Sequence, residues 1–214
     1  MRKVILEKGR ALTQADLNRS GALPAEVMAS AEAIVDDVRA RGDEAVRDYC
    51  NKFDGACPAS FRVPQELIDE APSMVDPAFL RALTRARDQI RAFHEKEREE
   101  SWFTTRPDGT ILGVKVTPVA SAAVYVPGGR AQYPSTVLMD TIPAKVAGVP
   151  RVVMVTPPQK DGSLSAYTLA AAKLAGVDEV YAVGGAQAVA ALAYGTESIP
   201  RVAKITGPGN AYVA

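Results

Sequence analysis

Four short segments carry the residue types that could hold a phosphate-bearing ligand: Pro127-Gly128-Gly129-Arg130, Thr156-Pro157-Pro158, Gly184-Gly185-Ala186-Gln187 and Gly207-Pro208-Gly209-Asn210. Three of the four are built on paired or near-paired glycines. Glycine lets the backbone take positive φ and lets a ligand approach it, and a helix that follows offers free N–H groups and a positive dipole end to phosphate. A nucleotide or dinucleotide suits this pattern. Glycines after strands also make tight βα turns with no ligand at all, and either reading accounts for any single pair. None of the segments matches G-x-G-x-x-G. The nearest, Gly207-Pro208-Gly209-Asn210-Ala211-Tyr212, has Tyr212 where the third glycine would give close helix-to-strand packing. A cofactor would then be held in another geometry, by side chains at the loop edges such as Tyr125, Gln187 and Asn210. Tyr125 could stack on or hydrogen-bond a ligand, or lie inside with its hydroxyl satisfied. Asn210 could cap a helix. Gln187, just inside a helix start, has little structural purpose there.

Groups for acid–base, nucleophilic or metal chemistry are sparse. The single histidine, His94, begins His94-Glu95, but Arg98 stands where a zinc-protease motif needs its second His. Cys50 and Cys57 lie seven residues apart, with neither a metal nor a redox spacing. Cys50 reads as a small apolar residue inside a helix, and Cys57 as a loop thiol with no histidine or helix start beside it. Neither a G-x-S-x-G elbow nor a P-loop occurs. No complete metal site is expected, because one His with two Cys of no ligand-like spacing cannot supply three or four ligands without carboxylates arriving from elsewhere.

The elements that must position these residues change character near residue 120. Residues 1–20 form an arm, with Val4-Ile5-Leu6 strand-like and Leu12 to Asn18 helical. In the next part, 21–121, Pro24 opens an amphipathic helix carrying Val27, Ala31, Ile34, Val35 and Val38, interrupted at Arg41-Gly42-Asp43. A second helix runs from Ala45 to Phe53 and ends at Asp54-Gly55. Asp76-Pro77 starts a third, whose stripe is Phe79, Leu83, Ala86, Ile90 and Phe93 and whose end, from His94, is a solvated charge run. Trp102–Thr105 and Ile111–Thr117 read as two strands around a turn. Over 122–214 strands at 122–126, 151–155, 179–183 and 202–206 alternate with helices at 135–147, 164–175 and 186–194. The second of these helices presents Leu164, Tyr167, Ala171 and Leu174 as a stripe. Spacings of roughly 25 to 30 residues are those of successive βαβ crossovers. The fold class is therefore α/β: a parallel sheet covered on both faces, preceded by a helical segment and the arm. In such a sheet all four glycine- and proline-rich segments fall at the carboxyl edge, where ligands bind.

Composition bounds the function. The 214 residues are 47% hydrophobic and 23% charged, which is enough for a buried core. Lys+Arg and Asp+Glu number 25 each, so no basic field exists for nucleic acid or an anionic membrane. The longest apolar runs fall far short of the roughly 20 residues a spanning helix needs. The N-terminus meets Glu7 after three apolar residues, too few for a signal peptide, and a cytoplasmic location is expected. The helix opened at Asn210 is followed only by Ala211–Ala214, the pattern of a fragment.

Four motifs, Val124-Tyr125-Val126-Pro127-Gly128-Gly129, Ser135-Thr136-Val137-Leu138-Met139, Val183-Gly184-Gly185-Ala186-Gln187-Ala188 and Lys204-Ile205-Thr206-Gly207-Pro208-Gly209-Asn210, resemble histidinol dehydrogenases in order and spacing. The resemblance is specific from residue 110 onward and implies roughly the N-terminal half of that family's chain. It implies an incomplete Rossmann-like fold that holds NAD without the usual fingerprint, and NAD contacts at Tyr125, Gln187 and Asn210. It also implies a zinc-requiring homodimer that oxidises L-histidinol to L-histidine in two NAD-dependent steps through the aldehyde, in histidine biosynthesis. The family's zinc ligands, substrate contacts and general bases map to no position here, so these residues alone should be inactive. The competing reading is a non-catalytic nucleotide-binding or assembly module.

Overall fold

The computed structural model describes residues 9–11, 24–128 and 132–213. Most of the arm expected over 1–20, and Gly129 and Arg130 of the first glycine segment, lie outside the described residues.

Four parallel strands, β3 (Ala122–Tyr125), β4 (Val152–Thr156), β5 (Glu179–Ala182) and β6 (Lys204–Thr206), make one sheet in the order β5-β4-β3-β6. The chain adds strands in one direction from β3 to β5, then crosses to the other side of β3 for β6. The order reverses between β3 and β6, and the crevice beyond their carboxyl ends is the switch point where open α/β sheets bind ligands.

Alternation of side chains divides the interior into two cores. Ala122, Val124, Val126, Val152, Met154, Val180 and Ala182 point to one face, while Ala123, Tyr125, Val153, Val155, Tyr181 and Val183 point to the other. Helices α1 (Ala25–Arg41), α2 (Asp43–Tyr49) and α7 (Gly185–Tyr194) cover the second face. On the first face pack α3 (Gln65–Glu70), α4 (Pro77–His94), α5 (Pro134–Val146) and α6 (Ala166–Ala175). The expected sheet, parallel and covered on both faces, is what forms.

Local signals act where the sequence places them. Gly42, at φ +57°, breaks α1 from α2, and the Asp76 carboxylate accepts from the Ala78 and Phe79 amides to start α4. Cys50 is fully buried, and α2 runs on as a π-turn over Cys50–Asp54 before Gly55 takes φ +73°. The hairpin strands are β1 (Trp102–Thr105), with the expected bounds, and β2 (Ile111–Val114), shorter than expected because pairing stops where Ser101 Oγ takes up the Val116 amide instead.

Three departures are tertiary in origin. Phe93 is 61% exposed, because α5 covers only the earlier part of the α4 stripe. In α6 the buried set is Thr168 to Ala172 with Ala175, whereas Leu164, Tyr167 and Leu174 are only partly covered or exposed. Helices on two sides enclose α6, so small residues all round it are buried. The segment before α4 holds α3 and a 3-10 turn, Ala71–Met74, which pack on α6. Just upstream, Val63 donates to the Val180 carbonyl (2.9 Å) and Ala182 donates to the Phe61 carbonyl (2.8 Å), closing the β5 edge in antiparallel sense.

A candidate dinucleotide site at the carboxyl edge of the sheet

Tyr125 closes β3 and is 6% exposed. Its hydroxyl accepts from the Gly185 amide at 3.1 Å, satisfying one of the free donors at the start of α7. Burial raises its pKa, and the Gly185 bond opposes the rise. The interior reading of Tyr125 thus applies, and its role at the edge is to fix the loop that carries Gln187.

Gln187 sits in the first turn of α7 and is 1% exposed. Both amide atoms are buried without a hydrogen bond of normal geometry among the described residues, and the neighbour they reach is the Cys50 thiol, whose pKa the amide lowers against burial. An unpaired buried amide costs about 1–3 kcal/mol. Gly185, at φ +66°, makes the space, since a Cβ on it would collide with Gln187 Oε1.

Asn210 follows β6. Its Oδ1 accepts from the Tyr212 amide at 2.9 Å, the local cap that its residue type suggests. With Ser30, Ile34, Phe53, Ala186, Gln187 and Tyr212 it lines a cavity of about 360 Å³. Gln187 and Asn210 are therefore brought to one cavity, with Tyr125 bonded to the glycine that precedes it by two residues.

The glycine segments have two physical explanations. A Cβ on Gly128 would lie 2.8 Å from Pro157 Cγ, and one on Gly184 would lie 2.6 Å from Pro157 Cβ, so these glycines let neighbouring loops close on one proline. Gly207, at φ +136°, lies against the Tyr125 backbone, where a Cβ would collide with the carbonyl oxygen. That contact sits at the switch point between β3 and β6.

Sequence reasoning missed Phe53 and Asp54. A second cavity, about 590 Å³, is lined by both, together with Gly128, Pro157, Pro158, Gln159, Lys160 and Asp161. Phe53 lines both cavities and is 54% exposed. Burial pushes the Asp54 carboxyl up to about 6 against the Cys50 thiol, which lowers it, and Asp54 Oδ2 is buried without a hydrogen bond of normal geometry among the described residues. Burial first and Asp54 second drive the Cys50 thiol up to about 12, so it is inert as a nucleophile. The Asp-Gly helix stop was readable, but the π-turn that carries these side chains to the sheet edge has no sequence signature.

His94 lies elsewhere, on the α4–α5 side, with Nδ1 2.6 Å from Glu97 Oε2. Among the described residues no group of three or more His, Cys, Asp or Glu could hold a metal, so they do not fit a zinc ion. NAD fits better, because the two cavities have the size of ligand sites and one contains a buried amide with unfilled donor and acceptor capacity. Among the described residues no helix is long and apolar enough to cross a membrane.

Residues 17–214 match the sequence model of the family described as histidinol dehydrogenase. The chain is 56% identical over 191 residues to a histidinol dehydrogenase of Heliobacterium mobile, covering 88% of this chain and 45% of that one. It is 55% identical over 182 residues to one of Bacillus subtilis, covering 85% and 43%. A crystal structure of histidinol dehydrogenase from Elizabethkingia anophelis superposes with a TM-score of 0.85 at 32% identity, covering 92% of this chain and 46% of that one. The chain thus spans somewhat under half the length of these relatives.

Proposed function

The chain belongs to the histidinol dehydrogenase family, and from that premise we propose that it forms the NAD-side portion of an enzyme oxidising L-histidinol to L-histidine in two NAD-dependent steps through the aldehyde. The observation that carries the reading is the buried, unpartnered Gln187 amide in a cavity shared with Asn210, at the carboxyl edge of a parallel sheet. NAD, when bound, accepts hydride. The residues of this chain bind and orient it: Gln187 supplies a donor and an acceptor, Asn210 lines the cavity wall, and Tyr125 holds the Gly184-Gly185 loop. The free N–H groups at the start of α7 add a positive end suited to phosphate.

Residues 122–214 are proposed to form the cofactor-holding domain, with 21–121 as its helical cover and first strands and the arm as a docking element. The family resemblance adds a cytoplasmic homodimer with no nucleic-acid or membrane partner. Zinc, the histidinol pocket and the general bases are assigned to sequence other than these 214 residues, which by themselves should not turn over histidinol.

Equilibrium titration with NAD tests the cofactor reading. The protein should bind NAD, with Gln187→Ala and Asn210→Ala each weakening binding while leaving the fold intact by circular dichroism. Absence of NAD binding at millimolar concentration would refute it, as would affinity indifferent to both substitutions.

A further inference from the structure

Dinucleotide-binding sheets of this strand order carry an acid about 20 residues after the glycine loop, which hydrogen-bonds the ribose 2′-hydroxyl. Here the strand after the first glycine segment is β4, and its end reads Thr156-Pro157-Pro158-Gln159, without an acid. Asp161, a little farther on, is engaged in its own turn, with Oδ1 accepting from the Ser163 amide (3.0 Å) and hydroxyl (2.7 Å). Asp54 reaches the cavity of about 590 Å³ that Asp161 also lines, out of the π-turn that extends α2. Its neighbours in the lining include Gly128 after β3 and Pro157 and Pro158 after β4.

Asp54 is equipped for such a contact. An ionised carboxylate only accepts hydrogen bonds, and Oδ2 of Asp54 is buried without a hydrogen bond of normal geometry among the described residues, the Cys50 thiol being the weak donor beside the carboxyl. Phe53, its neighbour, lines both this cavity and the one holding Gln187 and Asn210, so a ligand with two nucleotide ends can place one in each.

We propose that Asp54 accepts a hydrogen bond from the 2′-hydroxyl of the adenosine ribose of NAD and thereby selects NAD over NADP. NADP bears a phosphate at that hydroxyl, so it both removes the donor and sets a second anion against a buried carboxylate. The proposal rests on the NAD reading above. Lys160, in the same lining, is the one group of opposite sign among the described lining residues that could receive the phosphate.

The test is a set of dissociation constants for NAD, NADP and the 2′-deoxyadenosine analogue of NAD, measured on the protein and on Asp54→Ala and Asp54→Asn. The unsubstituted protein should bind NADP and the deoxy analogue each about tenfold or more weaker than NAD, the effect of one charge-assisted hydrogen bond. Asp54→Ala should bind NAD and the deoxy analogue alike, and Asp54→Asn should narrow the gap between NAD and NADP. Equal binding of NAD and its deoxy analogue by the unsubstituted protein would overturn the proposal whether or not the variants fold, and so would NADP binding as tight as NAD through Lys160. If NAD binding responds to Gln187→Ala yet ignores the 2′ substituent, this proposal alone fails. If the unsubstituted protein binds no NAD, the cofactor reading fails with it.

Discussion

The Tyr125 hydroxyl accepts a hydrogen bond from the Gly185 amide across 60 residues of sequence, at 3.1 Å. The bond joins the end of β3 to the first residue of α7 and sets the direction in which Gln187, two residues on, projects. One phenol thus links the first strand of the sheet to the amide best placed to meet a cofactor.

Tyr125→Phe keeps the ring and removes only this acceptor. The Gly185 amide then lacks its partner, and stability should fall by about 1 kcal/mol. Urea unfolding should show a lower midpoint with an unchanged slope, and NAD affinity should fall severalfold because the loop is less well fixed. Unchanged stability would mean that water replaces the hydroxyl without cost.

Gln187→Met should separate stability from binding. The amide has no partner among the described residues, so an apolar side chain of similar length relieves a buried polar group and should raise stability by about 1 kcal/mol. The same variant should lose NAD binding. A destabilised Gln187→Met protein would show that the amide is satisfied within the fold and would remove the main structural support for its cofactor role.

Gly207→Ala should damage the switch point. At φ +136° an L side chain is strained, and the new Cβ would strike the Tyr125 carbonyl oxygen. A loss of about 2–3 kcal/mol is expected on thermal or urea unfolding. Gly109→Ala serves as the comparison, because Gly109, at φ +85°, has nothing within 4 Å of its Cβ position and should lose only the strain.

Acid should act on stability in two opposed steps. The Arg151 guanidinium, bonded to both Glu179 oxygens at 2.7 and 2.9 Å, holds the Glu179 carboxyl at about 2, below the ordinary 4.5. A depressed folded value stabilises fully above pH 4.5 and is lost as pH falls toward 2, so Glu179→Gln should flatten that limb, removing on the order of 2 kcal/mol at neutral pH. Asp54 has the opposite sign: its folded value of about 6 lies above the ordinary 3.8, so its charge opposes folding above pH 6, and that penalty is relieved as pH falls toward 3.8. Asp54→Asn should be more stable than the unsubstituted protein at pH 7 and equal to it near pH 3.5. A urea series from pH 3 to 8 on both variants reads the two steps separately.

Much of the architecture was legible because the signals are local. Alternating β-branched runs and Ala-rich stretches fixed the parallel sheet, and Gly42, Gly55 and Asp76 placed breaks and a cap by backbone sterics and hydrogen bonding alone. Tyr125, Gln187 and Asn210 could be singled out because each lies at the end of a strand or the start of a helix on the carboxyl edge, though only for Gln187 does the residue type have little other use there. The order of the sheet, the antiparallel cover of β5 by Phe61–Val63, the burial of α6 on several sides and the exposure of Phe93 were not readable. Each depends on which element lies beside which, and that is set by long-range packing. The site divides in the same way: the sequence by itself determined the glycine-bounded loops and the side chains at their edges. Only the tertiary structure decided that Gln187 would be buried without a hydrogen bond of normal geometry among the described residues and that Asp54, from a π-turn far back in the chain, would reach the same edge, because desolvation and the meeting of distant segments exist only once the chain has packed.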